Sequence, residues 1–299
     1  MSQFPKNAHF LRFSAIFLLP LQNQNDTKMA KRKILFINQE IYPYVPETTQ
    51  SILGRELPRA MQDRNHEIRT FMPKWGTINE RRGQLHEVIR LSGMNLIIND
   101  TDHPLIIKVA SIQSAKVQVY FIDNDDYFMN RNVFNDNEGN PYIDNGERAV
   151  FYARGVLETV TKLRWIPDVI YCQGWISSIV PLYIKKAFND EPAYQNAKVV
   201  YAATQHLFKV NMGRKLLDAI EFKDIHKDDL VDAFNGKYGF NQLQKLAIKY
   251  SDGLILEDNK VDKKVLEYAR GLNIPILEYQ GEKDYTMAYS DFFDSIMEE

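Results

Sequence analysis

The stretch KILFINQEIYPYVPETTQ (33–50) begins as a short apolar run and ends in a turn crowded with proline and threonine. KILFIN (33–38) reads as a buried strand, since its consecutive apolar side chains leave no polar face for water. From about Gln50 to Arg64, the residues Ile52, Leu53, Leu57 and Met61 recur at helical spacing. HEIRTFMP (66–73) then reads as a second strand ending at Pro73. Strand, helix, strand is the parallel βαβ unit. The turn after its first strand is where backbone N–H groups approach a phosphate, and glycine permits that approach. Here Pro43, Pro46, Glu47, Thr48 and Thr49 occupy the turn, and positions 40–50 hold neither glycine nor lysine.

Beyond this unit the pattern changes and then returns. LHEVIRL (85–91), MNLIIN (94–99), PLIIKVA (104–110) and AKVQVYFID (115–123) are β-rich runs divided by turn residues, which predicts an antiparallel insertion. Residues 123–147 are polar and loop-like. Helices are then expected at 147–165, 175–188, 241–252, 259–272 and 284–299, with strands at 167–173, 197–203, 253–258 and 274–279. The region 204–238 is charged and poorly patterned. This alternation predicts an α/β fold: a Rossmann-like, doubly wound, mostly parallel sheet with a small antiparallel β insertion. One domain is expected over 31–299.

Residues 1–30 read as an over-extended start, with the chain beginning near Met29, or as a leader built on LRFSAIFLLPL (11–21). No run reaches the roughly 18–20 apolar residues that span a bilayer. The 299 residues are 44% hydrophobic and carry a net charge of −2, enough for a real core and without the basic footprint of a nucleic-acid binder. Aromatic residues reach 12%, which suits an aromatic-rich core and also sugar stacking. Cys172 is the only cysteine, so no intrachain disulfide forms, and a cytoplasmic setting is expected.

Four segments carry chemistry or imitate it. Asp123-Asn124-Asp125 after a strand has the Asp-x-Asp form that holds Mg²⁺ or Mn²⁺ against a diphosphate, and equally the composition of a solvated turn. NDNEGN (135–140) looks like a calcium loop but has Pro141 where the loop needs glycine, so no metal is expected there. Asp144 or Asn145 is placed to cap the helix that follows, with Glu147 in its first turn. PDVIYCQGWISS (167–178) puts Gln173, Trp175 and Ser177 at the carboxyl edge of the sheet, where ligands bind in open α/β folds, although Trp175 suits a core equally well.

Taken with KILFINQEIYPYV (33–45), LPRAMQDRNHEIRTFMPKW (57–75), VYFIDNDDYF (119–128), YIDNGERAVFYARGVLE (142–158) and WIPDVIYCQGWISSIVPLYIK (165–185), the chain resembles the N-terminal domain of bacterial glycogen and plant starch synthases. Those enzymes are glycosyltransferases with two Rossmann domains. The resemblance implies transfer of glucose from ADP-glucose to the non-reducing end of an α-1,4-glucan, with retention and with neither metal nor cofactor. It also implies substrate contacts at Asp144, Asn145, Gln173, Trp175 and Ser177, with no catalytic residue assigned. The family's donor loop reads Lys-Thr-Gly-Gly-Leu where this chain has Pro46, Glu47, Thr48, Thr49 and Gln50. Its second motif, His-x-His-Asp-Trp-[His/Gln]-Thr, falls on Tyr171 to Ser177, with Gln173 in place of the sugar-contacting histidine. Activity would then need a second domain, from a partner or from another copy in a homo-oligomer. The alternative is a non-catalytic glucan-binding or regulatory protein of glycogen metabolism.

Overall fold

Strand β1 (Lys33–Ile37) is buried along Ile34–Ile37, as its unbroken apolar run requires. In the computed structural model, which describes residues 31–205, 212, 215–226, 228, 230, 234–281, 283 and 285–298, β1 is the centre of the sheet. Residues 1–30, His206 and part of 204–238 lie outside the described residues.

On one side β1 pairs with β2 (Glu67–Pro73), and β2 with β6 (Val117–Asp123), all parallel. On the other side follow β7 (Val169–Gln173), β8 (Lys198–Ala203), β9 (Gly253–Leu256) and β10 (Ile276–Leu277), also parallel. The chain leaves β1 toward β2 and later returns to β1's other side as β7. The topological switch point therefore lies at the carboxyl ends of β1 and β7.

The expected antiparallel insertion is present. β5 (Thr101–Ile112) pairs with β4 (Met94–Ile98) through Thr101–Leu105, then with β6 through Ile106–Ile112, and β3 (His86–Glu87) lies on its outer edge. Pro104, which cannot donate to a ladder, stands next to the point where β5 changes partners.

Two helical layers cover the sheet. Leu53, Leu57 and Met61 of α1 (Thr49–Asp63) pack on Ile34 and Phe36, joined there by Phe292, Phe293 and Ile296 of the last helix, Tyr285–Glu298. The opposite face carries α4 (Asn145–Leu163), α5 (Val180–Lys185) and a helix at Phe240–Lys249. α2 (Glu80–Gly83), α3 (Asp125–Phe128), α6 (Lys215–Ile220) and a helix at Lys263–Arg270 fill the connections.

Several expected elements are shorter than their sequence pattern; the strand expected at 274–279, for one, is only Ile276–Leu277. The strand at 85–91 stops at Glu87, because the N–H groups of Leu91 and Ser92 turn back to the Val88 carbonyl. The helix at 175–188 splits into a 3-10 turn (Trp175–Ser177) and α5, whose first turn holds Pro181, a residue suited to a helix start and not to its middle. The helix expected from 259 starts at Lys263, with the Asp262 carboxylate accepting from the Lys264 N–H at 2.8 Å. Among the described residues no helix is long and apolar enough to cross a membrane.

Candidate functional site

The carboxyl ends of β1, β7, β8 and β9 lie side by side, and each ends in polar residues: Asn38-Gln39-Glu40, Gln173, Thr204 and Glu257-Asp258. Glu257 is at the centre. It is only 7% exposed, and its Oε1 accepts from the Tyr171 hydroxyl at 2.5 Å and Gln173 Nε2 at 2.9 Å. Its Oε2 is met by Gln50 Nε2 at 3.4 Å. These donors are all neutral, so burial dominates and pushes the carboxyl up to about 7.

Gln39 continues the network. Its Oε1 accepts from the Trp175 N–H at 3.1 Å, and its Nε2 donates to Gln50 Oε1 at 3.1 Å. Gly174, with φ of +80°, makes this possible, since a Cβ there would lie 2.5 Å from Gln39 Oε1.

The turn after β1 closes on itself. Thr48 caps α1 in a reciprocal box: its Oγ1 accepts from the Ser51 N–H at 2.9 Å, and Ser51 Oγ accepts from the Thr48 N–H at 2.8 Å. The Thr48 hydroxyl in turn donates to Glu40 Oε2 at 2.8 Å. Burial raises the Glu40 carboxyl, partly offset by the hydrogen bonds from Thr48 and Gln39.

Three cavities of about 470, 390 and 480 Å³ meet at Thr48. The first lies between α1, Glu257 and the residues Tyr279, Gly281, Tyr285 and Tyr289; the second runs toward Thr204 and Asp258; the third reaches Phe134 and Asn135. Carboxylates of Glu40, Glu47, Asp136, Glu257 and Asp258 line them, against the single cation Lys260 among their described lining residues.

The five residues picked out by sequence are placed as follows. Gln173 is in the floor of the cleft beside Glu257. Asp144 and Asn145 act on the neighbouring loop. Asp144 stands at the N-cap of α4 but makes no side-chain capping bond, which corrects the expected capping role. Its carboxylate takes both terminal nitrogens of Arg131 instead. Asn145 Nδ2 donates to the Phe134 carbonyl at 3.1 Å, and its Oδ1 accepts from Arg148 at 2.7 Å. Trp175 and Ser177 are fully buried behind this wall. Trp175 packs 6.0 Å from Phe134 and 6.4 Å from Trp75, and the Ser177 hydroxyl donates to the Gly174 carbonyl at 3.0 Å.

The acidic motifs resolve as structure. Buried Asp123 pairs with Lys108 at 2.8 Å, while Asp125 is exposed in the first turn of α3, so the two do not converge. Asp136 Oδ1 accepts from the N–H groups of Glu138 and Asn140, forming a turn. Among the described residues no group of three or more His, Cys, Asp or Glu could hold a metal. Sequence reasoning missed Glu40, Gln50 and Glu257. The available signal was GLILED (253–258), a buried parallel strand whose carboxyl end changes abruptly from apolar to acidic.

A family model described as the starch synthase catalytic domain matches residues 33–274. The chain belongs to that family. Among curated relatives, the glycogen synthase of Chlorobium luteolum is 36% identical over 169 residues, 56% of this chain and 35% of that protein. The glycogen synthase of Chlorobaculum tepidum is 30% identical over 246 residues, 80% of this chain and 49% of that protein. The chain thus spans about half or less of the length of these relatives. Among solved structures, the catalytic domain of Starch Synthase IV from Arabidopsis thaliana, bound to ADP and acarbose, superposes with a TM-score of 0.67. That match is 15% identical and covers 84% of this chain and 51% of the other, so it speaks for the fold.

Proposed function

We propose that this member of the starch synthase family holds α-1,4-glucan in the switch-point cleft without seating a nucleoside diphosphate sugar on the β1–α1 turn. The observation that carries this is the Thr48–Ser51 capping box. Helix N-termini bind phosphate through free N–H groups and positive partial charge. Here the Ser51 N–H is already taken by Thr48, and the Thr48 hydroxyl is given to Glu40. Glu47 on the exposed turn adds negative charge where the family carries a donor loop with lysine and two glycines. The neutral amides of Gln39, Gln50 and Gln173 suit hydroxyls better than phosphate. Family membership supports a role in glucan metabolism with glucan as the ligand, and the cytoplasmic setting in this proposal rests on the buried free thiol of Cys172, which suits a reducing compartment.

Isothermal calorimetry separates the terms. Glycogen binds and ADP-glucose does not; ADP-glucose binding with affinity equal to or better than glycogen overturns the proposal.

A second reading is glucosyl transfer from ADP-glucose to the glucan's non-reducing end. It is favoured by the family match over 33–274. It requires donor contacts from outside the described residues, from a second domain or another copy. Incubation with labelled ADP-glucose and glycogen tests it, and no incorporation by the protein alone or in lysate removes it.

A further inference from the structure

We infer that the cavity of about 360 Å³ at the amino ends of β1, β2 and β6 binds a small phosphate monoester through Lys31, Lys116 and the Nε2–H group of His66. The glucan cleft lies at the opposite, carboxyl edge of the sheet, so the two ligands do not compete.

The topology assembles the cavity. β2 pairs in parallel with β6, Thr70 against Val119, which sets Gln118 beside Arg69 and Lys116 beside Glu67. Lys116 sits in the turn before β6, with φ of +55°. Lys31 precedes β1, whose Lys33 pairs with Glu67. The chain leaves α1 through Asn65, with φ of +69°, and this turn brings His66 to the same cavity.

His66 is the residue that points to a ligand. It is only 5% exposed. Its Nδ1 accepts from the Arg32 N–H at 3.1 Å, so the ring's proton is on Nε2. Among the described residues nothing accepts from that Nε2–H, and the ring lines the cavity. A buried donor left without a partner costs stability, and an acceptor entering the cavity removes that cost. Burial lowers the pKa of the ring, opposed by Asp294, which is itself paired with Arg32 at 3.4 Å. His66 therefore offers a neutral donor, and the charge comes from its neighbours.

The charge is positive. Lys31, Arg69 and Lys116 line the space against one carboxylate, Glu67. That carboxylate is already engaged: its Oε1 accepts from Trp165 Nε1 at 2.6 Å and lies 3.8 Å from Arg69. Among the described residues neither Lys31 nor Lys116 has an ionic partner. Two free ammonium groups and a buried N–H suit a phosphate, which carries close to two charges and three strong acceptor oxygens.

The rest of the lining selects the ester. The side-chain amides of Gln62, Asn65 and Gln118 make no hydrogen bond among the described residues, and amides both donate to and accept from hydroxyls. No aromatic ring is among the described lining residues, so a nucleobase has nothing to stack on. The volume is within the roughly 300–1,000 Å³ usual for small-molecule sites.

Glycerol 3-phosphate is the probe, titrated by calorimetry into the full chain beside inorganic phosphate, sulfate and glycerol. It binds several-fold more tightly than either inorganic anion, and glycerol does not bind. By NMR, the one histidine ring signal missing from His66→Gln shifts with glycerol 3-phosphate and not with glycerol. Lys31→Gln combined with Lys116→Gln, both at exposed positions, weakens the ester at least tenfold and leaves the urea midpoint unchanged. This pair keeps the test open should His66→Gln not fold. Sulfate or inorganic phosphate binding as tightly as the ester means an adventitious ion only and overturns the ester class. Ester binding that survives the double substitution, or that leaves the His66 signal unmoved, overturns the assignment to this cavity. Absence of binding by any of the anions removes the site.

Discussion

The Tyr171 hydroxyl donates to Glu257 Oε1 at 2.5 Å, linking the strand β7 to the residue after β9 across the intervening β8. This bond fixes one carboxylate oxygen against the sheet and turns the other toward the cleft. It also defines the electrostatics, because among the described residues the acid is buried with neutral donors and no cation bonds to it.

Glu257 makes stability pH-dependent in an unusual direction for a carboxylate. Its carboxyl lies above the ordinary value of 4.5, at about 7, because burial penalises the charged form. Folding therefore favours the protonated acid. The stability from this group is fully present below about pH 4.5 and falls as pH rises toward 7, by up to about 3 kcal/mol. Glu257→Gln keeps the neutral shape and removes the titration. Urea unfolding should show the variant as the more stable at pH 8, with the gap closing near pH 4.5. An equal gap at both pH values contradicts the assignment.

Arg148 holds the wall of the cleft. It is fully buried and donates to the carbonyls of Tyr127, Asn132 and Val133 and to Asn145 Oδ1, at 2.7–3.0 Å. Its guanidinium lies 5.0 Å from the Trp75 ring and 4.9 Å from Tyr142. Burial lowers its pKa to about 9. A lysine keeps the charge but not the planar fork, leaving buried carbonyls unpartnered at about 1–3 kcal/mol each. Arg148→Lys is expected to lose about 3 kcal/mol of stability in urea. Hydrogen exchange should speed up first in residues 127–134. Uniform acceleration across the sheet would instead mean a global loss of stability.

The centre of the sheet was largely legible because its parallel strands are buried on both faces and need continuous apolar runs, as in KILFI (33–37) and VIYCQ (169–173). α4 was legible for the same reason, its apolar residues covering most of its circumference. The site was legible only in part. Gln173 could be placed at a strand end, but Glu257 is its partner 84 residues away, and Gln50 lies 207 residues from Glu257. Only the strand order β9-β8-β7-β1 brings these groups together, and no local pattern records that order. Asp144 was misread for a related reason. Local spacing offers a cap, while Arg131, held in the preceding loop, offers a full charge and two donors.

The turn at 46–49 can be tested by restoring what it lacks. Pro46→Lys, Glu47→Thr, Thr48→Gly and Thr49→Gly, made together, supply a cation, remove an anion and admit close backbone approach. One charge-assisted hydrogen bond is worth about 1.5–3 kcal/mol, or roughly ten- to a hundredfold in affinity. The loss of the Thr48 cap opposes this only through stability: glycine at that position costs a few tenths of a kcal/mol in general, and the lost Ser51 contact brings the total to about 1 kcal/mol. The quadruple variant should therefore unfold at slightly lower urea and bind ADP at least tenfold more tightly than wild type by calorimetry. Unchanged ADP binding in a folded variant would mean that residues 46–49 are not what excludes the nucleotide, and the acidic groups beneath them, Glu40 and Glu257, would be the next to neutralise.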